Sequence, residues 1–330
     1  MPLFIPKQIM VNPSPVSDVD ITVSTGYAKI FDFIFKQLVW GCAFLVALIL
    51  LWIAWIVFQD AQLAIHDFGI GFLFSKDWNV SEEKFGGLPY IYGSIVSSFI
   101  ALIFAVPLGL AVAILTSENF LPQSIRTPIG FMVELIASIP SVIIGLWGIF
   151  VFIPVLMPLQ QFLFKAFGWI PLFSSEPFGP SMLMAGLILS VMILPTIGAI
   201  SRDVLLAVPP QLRSASMALG ATRWETIWLT LLPTASSGIV GATILALGRA
   251  LGETMAVTMV IGNSDIINIS LLAPGYTIPA VMVNQFAEAT GELHIGALMY
   301  LALVLFVITL GVNSLAILLV QTIQRRTQGA

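Results

Sequence analysis

Six stretches of this sequence are almost wholly apolar and about 20 residues or longer, the length a helix needs to cross the hydrocarbon of a bilayer. They fall at 38–58, 90–115, 128–154, 181–201, 235–262 and 294–321. Such runs leave little freedom. In lipid every backbone polar group must be satisfied internally, so an apolar run of this length becomes a helix. The expectation is an all-α, polytopic membrane protein with six transmembrane helices. Composition agrees: the chain of 330 residues is 9% charged and 58% hydrophobic, whereas soluble domains carry about 25% charged residues. Prolines inside the runs (Pro107, Pro140, Pro195) are compatible with membrane helices, because neighbouring groups can re-satisfy the freed carbonyls.

Lysine and arginine near helix ends set the orientation. One set of segments holds Lys7, Lys29, Lys36, Arg126, Arg202, Arg213, Arg223, Arg325 and Arg326, and the other holds Lys76, Lys84 and Lys165. The richer set is expected on the cytoplasmic side, so both termini are expected there. This divides the chain into a cytoplasmic segment 1–37, a membrane domain 38–323 and a tail 324–330. Within the membrane domain lie an external loop 59–89 and a cytoplasmic loop 202–233. Residues 1–36 hold no apolar core ending in a small-residue cleavage site, so the first run is expected to be retained as a membrane helix. The aromatic stretch 157–180 is expected at the external interface. Residues 277–289, amphipathic but too short to span, are expected to be re-entrant or to lie on the surface. These two segments are expected to form an outer gate. One cysteine, Cys42, excludes an internal disulfide, and two histidines offer little to a metal.

The most organised loop reads "PPQLRSASMALGATRWETIWLTLLP" from Pro209 to Pro233. Its prolines suit the first turn of a helix. Leu212, Ala215, Ser216 and Leu219 then recur at helical spacing, and Gly220 suits a left-handed helix stop. Thr222 followed by Glu225 predicts a capping box for a second helix. The loop resembles the coupling loop of ATP-binding-cassette importer permeases, whose pattern is Glu-Ala-Ala, three residues, Gly, then an apolar stretch ending in Leu-Pro. The matching positions are Ser214, Ala215, Ser216, Gly220, Leu232 and Pro233. Ser214 departs from the usual glutamate, which removes any salt bridge that acid would make.

A second motif is "GRALGETMAVTMVIGN" at 248–263, inside the fifth run. It is similar to the C-type permeases of phosphate importers, the PstC family. So are "LPYIYGSIVSSFIALIFAVPLGLAVA" from Leu88, "IPSVIIGLWGIF" from Ile139 and "FAEATGELHIGALM" from Phe286. The resemblance extends from about residue 69 to 323. It implies a type I importer permease working with an A-type permease, two ATPase subunits that bind ATP and Mg, and an extracytoplasmic phosphate-binding protein. A bacterial inner-membrane location follows, with lipid and phosphate as further partners and no nucleic acid.

A charge at the bilayer centre costs roughly 2.5–3.5 kcal/mol on insertion scales, so Arg249 and Glu253 are expected to face the bundle interior or a water-filled path. A continuous helix would put the two on one face. One reading is a structural pair. The other is a site on the anion path, where the planar arginine fork suits phosphate oxygens. Glu134 and Ser138, on the third run beside the Pro140 kink, are further candidates for the path. The chain has no Gly-Lys pair and so no Walker-type phosphate loop; it is expected to be a transporter subunit and not an enzyme, with no cofactor of its own. A permease for sulfate or molybdate is an alternative. An ion-coupled secondary anion transporter is another, but it would leave the organised loop unexplained.

Overall fold

The computed structural model of the protein describes residues 26–118 and 120–328, with side chains between residues 30 and 318. Residues 1–25 of the expected N-terminal segment, with Lys7, and the final two residues of the tail lie outside the described residues, as do the side chains of Arg325 and Arg326. Helices make up the fold. Six of them are long and apolar enough to cross a membrane: Ile30–Leu73, Leu88–Ser117, Ser141–Phe167, Met182–Ala207, Arg223–Gly252 and Glu292–Leu318. The expected six-span, all-α architecture is therefore present, but two spans are built differently from expectation.

The chain divides into two compact units, Met1–Trp55 and Ile56–Ala330. The described part of the first unit is the start of α1 (Gly26–Phe68), a helix whose side chains from residue 30 to 53 are exposed. In the second unit α1 continues, and Ala61 and Ala64 become fully buried. Gly296 of α12 (Glu292–Gln328) allows close approach there: a Cβ on it would lie 3.3 Å from the Asp60 carbonyl oxygen. Because α1 reaches Phe68 and a 3-10 turn follows at Gly69–Leu73, the loop expected from residue 59 begins only after Leu73.

The third span is the first correction. A helix expected over 128–154 is instead α3 (Gln123–Ser138), a break, and then α4 (Ser141–Trp147), which runs through a π-helical turn into α5 (Ile153–Phe167). Ile139 and Pro140 are both extended, with ψ of 128° and 137°. Proline supplies no N–H to the preceding turn and excludes its neighbour from the helical region, so the break falls where the sequence demands it. The apolar helix thus extends to Phe167, and 157–167 is its continuation rather than a separate loop.

The fifth span is the second correction. The expected helix over 235–262 ends at Gly252. Glu253 is extended, with ψ of 127°, and a short helix α10 (Met255–Val260) follows. At its other end this span begins earlier than expected. Helix α8 (Arg223–Thr226) passes through a π-helical turn at Ile227–Leu231 directly into α9 (Leu232–Gly252).

The core is the pair α2 (Leu88–Ser117) and α6 (Met182–Ala207). Ile100, Ala101 and Ala105 pack with Ala185, Ile188, Leu189 and Ile193, all buried. At the start of α6 the segment 260–273 supplies acceptors for free backbone donors: Ser181 N–H donates to Val260 O at 3.1 Å, Met182 N–H to Ala273 O at 3.0 Å and Leu183 N–H to Leu271 O at 2.8 Å. Residues 277–289 contain α11 (Ile278–Gln285), whose first four residues are buried, so this helix is packed into the protein and does not lie on its surface.

Candidate functional site

The 209–233 loop folds as its sequence suggests. Helix α7 covers Pro210–Ala218, and Gly220 turns the chain with φ of +93°, a conformation open to glycine because it has no Cβ. Thr222 N–H donates to Glu225 Oε2 at 2.7 Å, and Glu225 N–H donates to Thr222 Oγ1 at 3.3 Å, so the capping box is complete. Leu212, Ala215 and Leu219 are exposed, Leu219 at 91%. Ser214 is exposed and its hydroxyl donates only to Pro210 O, at 3.2 Å. Ser216 turns inward and lies 3.2 Å from Thr226 Oγ1 and 3.4 Å from Thr230 Oγ1. It therefore holds the two helices of the loop together and is not part of the presented face. Leu232 and Pro233 stand at the start of α9, where the loop has become a span.

Sequence reasoning overlooked Arg213 as a site residue, although it joins the loop to the ends of two core helices. Its Nε and Nη2 lie 3.2 and 3.0 Å from Glu118 Oε1. Its Nη2 also donates to Leu205 O at 2.7 Å and its Nη1 to Val208 O at 3.3 Å. A basic residue six positions beyond the end of α6 was the available signal.

The intramembrane charges are arranged differently from expectation. The helix ends between them, so Arg249 and Glu253 do not share a face and form no ion pair. Glu253 Oε1 accepts from Ala256 N–H at 3.4 Å and so serves the first turn of α10. Arg249 is exposed and its Nη1 donates to Thr196 Oγ1 of α6 at 3.3 Å. It borders a cavity of about 910 Å3 between α6, α9 and α12, lined also by Thr196, Ser237, Gly241, Thr309 and Asn313. The chain thus presents one cation and several neutral hydrogen-bonding groups to an open, otherwise apolar groove. An anion there would meet donors without a neighbouring carboxylate.

Comparison with known proteins gives the family. The family model described as "Binding-protein-dependent transport system inner membrane component" matches residues 105–329, which include the loop and the groove. The phosphate transport system permease protein PstC of Mesorhizobium japonicum is 43% identical, over 90% of this chain and 92% of that protein. PstC of Xylella fastidiosa strain Temecula1 is 41% identical, over 89% and 92%.

The chain belongs to the PstC family.

A more distant family member, the probable PstC of Methanocaldococcus jannaschii, is 37% identical, over 86% of this chain and 91% of that protein. Solved structures share the fold at low identity. A bacterial alginate ABC transporter matches with a TM-score of 0.56 at 15% identity, over 87% of this chain and 92% of that one. The MetNI methionine ABC transporter, facing inward, matches with a TM-score of 0.50 at 18%, over 72% and 94%.

Two further candidates for the path, Glu134 and Ser138, do not border the Arg249 cavity. Glu134 of α3 lines a separate crevice of about 310 Å3 with Arg126 and Arg202. Ser138 is exposed at the end of α3, with its hydroxyl donating to Leu135 O at 2.7 Å. Thr196, Ser237, Thr309 and Asn313 do border the Arg249 cavity, and the sequence marked them only as polar residues within apolar runs. Their convergence depends on how three helices meet.

Proposed function

We propose that this chain is the membrane permease subunit of an ATP-driven phosphate importer, forming half of the path by which phosphate passes from an extracytoplasmic binding protein to the cytoplasm. The observation that carries the reading is an exposed arginine in a spanning helix, facing a groove of hydroxyls and an amide, in a chain 43% identical to a PstC permease. Arg249 would contact phosphate briefly through its planar fork, because a transport path needs contacts weak enough to release. The open side of the groove would be closed by a second, A-type permease.

One of two ATPase subunits holding ATP and Mg would dock on Leu212 and Ala215 of α7 and on Leu219, which caps it, where the small neighbouring residues let a groove come close. Both termini and the 209–233 loop would then be cytoplasmic, and the α11 end of the protein would face the binding protein. The membrane would be the bacterial inner membrane.

The test is purification of the chain with its native partners, followed by reconstitution into vesicles. The expected result is copurification with one other permease and an ATPase, and ATP hydrolysis stimulated by the phosphate-loaded binding protein. Stimulation by sulfate or molybdate in place of phosphate would reassign the anion. Uptake that runs on an ion gradient without ATP would sink the ABC reading.

A further inference from the structure

We propose that Arg213 is the positioning residue that transmits movement of the ATPase-docking helix α7 to the membrane core, by clamping α7 to the ends of α2 and α6. This rests on the reading of the chain as an ATP-driven permease.

The clamp is defined by its contacts. Glu118 is the residue that ends α2, and Leu205 and Val208 belong to the last turn and the cap of α6. One guanidinium joins all three, with its Nε and Nη2 on Glu118 Oε1 and its Nη groups on the two carbonyls. These carbonyls come at the C-terminal end of α6, the negative end of the helix dipole, where regular i+4 donors run out; Leu205 O also accepts from the cap N–H of Val208 at 3.4 Å. A cation is favoured there, and a fork of donors can serve a carboxylate and two carbonyls at once. A lysine ammonium is a point charge on a flexible stem and cannot span them in the same way. The side chains are 21% and 18% exposed, so water competes weakly for the contacts.

The other side-chain hydrogen bonds of α7 are local to the loop. Ser214 bonds back to Pro210, and Ser216 bonds to Thr226 and Thr230. Arg213 is therefore a direct polar link from α7 to the core pair among the described residues. Beyond it lies α6, the most deeply buried span. Thr196 stands nine residues before Leu205 on this helix, about 13.5 Å along the axis at 1.5 Å per residue, and accepts the hydrogen bond from Arg249. A continuous, well-packed helix thus connects the clamp to the cavity, and a displacement of α7 reaches Arg249 through α6.

The experiment uses the complete importer in vesicles and reads phosphate taken up per ATP hydrolysed, normalised to assembled complex. Wild type is measured first; if it does not accumulate phosphate, the function proposed above fails independently of the clamp. Given a working wild type, Arg213→Ala should lower the ratio by at least about fivefold, the lower end of typical coupling between sites. Arg213→Lys should recover only part of that loss. Glu118→Gln keeps the carbonyl contacts and should lower the ratio less than Arg213→Ala. A ratio equal to wild type in both Arg213→Ala and Glu118→Gln, even with less complex assembled, would overturn the proposal. So would failure of both variants to assemble, which would make the clamp an element of folding only.

Discussion

Helices α6 and α9 are both apolar spans, yet 67% of the most apolar window of the first is buried within the chain and only 22% of that of the second. Their glycines make the contrast concrete. A Cβ on Gly186 of α6 would lie 2.4 Å from Ile100 Cγ2, and one on Gly109 of α2 would lie 2.9 Å from Ile197 Cγ2. On α9, Gly241 and Gly252 have no atom within 4 Å of the same position. The first pair of glycines lets two helices of one chain approach closely, as small residues do in membrane interfaces. The second pair borders or follows the open side of α9, which under the function proposed above would face the path or another subunit. Identical residues in similar apolar runs therefore stand in closed packing in one helix and beside open space in the other.

The largest effect should come from filling the closed side. Gly186→Val would drive two methyl groups into Ile100, and overpacking of this kind costs about 1–3 kcal/mol or more. The purified variant is expected to melt well below wild type and to accumulate poorly in membranes. Gly241→Val, on the open side, should melt like wild type and yet impair uptake by entering the cavity. Equal melting temperatures for Gly186→Val and wild type would erase the contrast.

Next comes the groove itself. Arg249 is exposed and forms no ion pair, so Arg249→Ala should change stability by no more than about 0.5 kcal/mol, as for surface changes away from special features. Phosphate uptake should nevertheless be abolished with the complex assembled. The double variant Arg249→Ala with Glu253→Ala sharpens this. A buried structural pair would regain stability and transport when both partners are removed. The structure separates the two residues, so transport should remain absent. Uptake restored to near wild-type rates would remove Arg249 from the path.

A smaller effect is expected at Gly220. Nothing lies within 4 Å of its Cβ position, but φ is +93°, and holding a residue with a Cβ in a left-handed conformation costs roughly 1–2 kcal/mol. Gly220→Val should loosen the turn between α7 and α8 and weaken ATPase docking, while the melting of the α2–α6 core stays near wild type. Measuring copurified ATPase against permease checks this; undiminished ATPase would show that the turn tolerates the change.

The smallest effect concerns Asp265, beyond the membrane spans. Burial raises its carboxyl above the usual range, partly offset by the hydrogen bond it accepts from the Tyr90 hydroxyl at 3.0 Å. An acid with a raised pKa favours the folded state at low pH, and this contribution is lost as pH rises through the raised value. Wild type should therefore lose stability relative to Asp265→Asn as pH rises from the ordinary carboxylate range. Melting temperatures of the two proteins across that range test the sign; a difference independent of pH would refute it.

Much of this protein was legible without coordinates because the solvent imposes it. Apolar runs of spanning length must become helices, and the local chemistry of 209–233 specified its helix, glycine turn and capping box within a few residues. Pro140 announced a kink, but the sequence alone did not show that the helix would break there, restart beyond it and run to Phe167. The other site features depended on distant residues. Periodicity placed Arg249 and Glu253 on one face, but the helix stops at Gly252 and Glu253 serves the next helix. Hydropathy cannot tell a helix face packed against its own chain from one left open, since both are apolar. Which glycines are closed in, which hydroxyls surround Arg249, and how Arg213 reaches Glu118 across 95 residues of sequence were decided by tertiary packing. These contacts join separate helices, and no local rule of the chain encodes where separate helices meet.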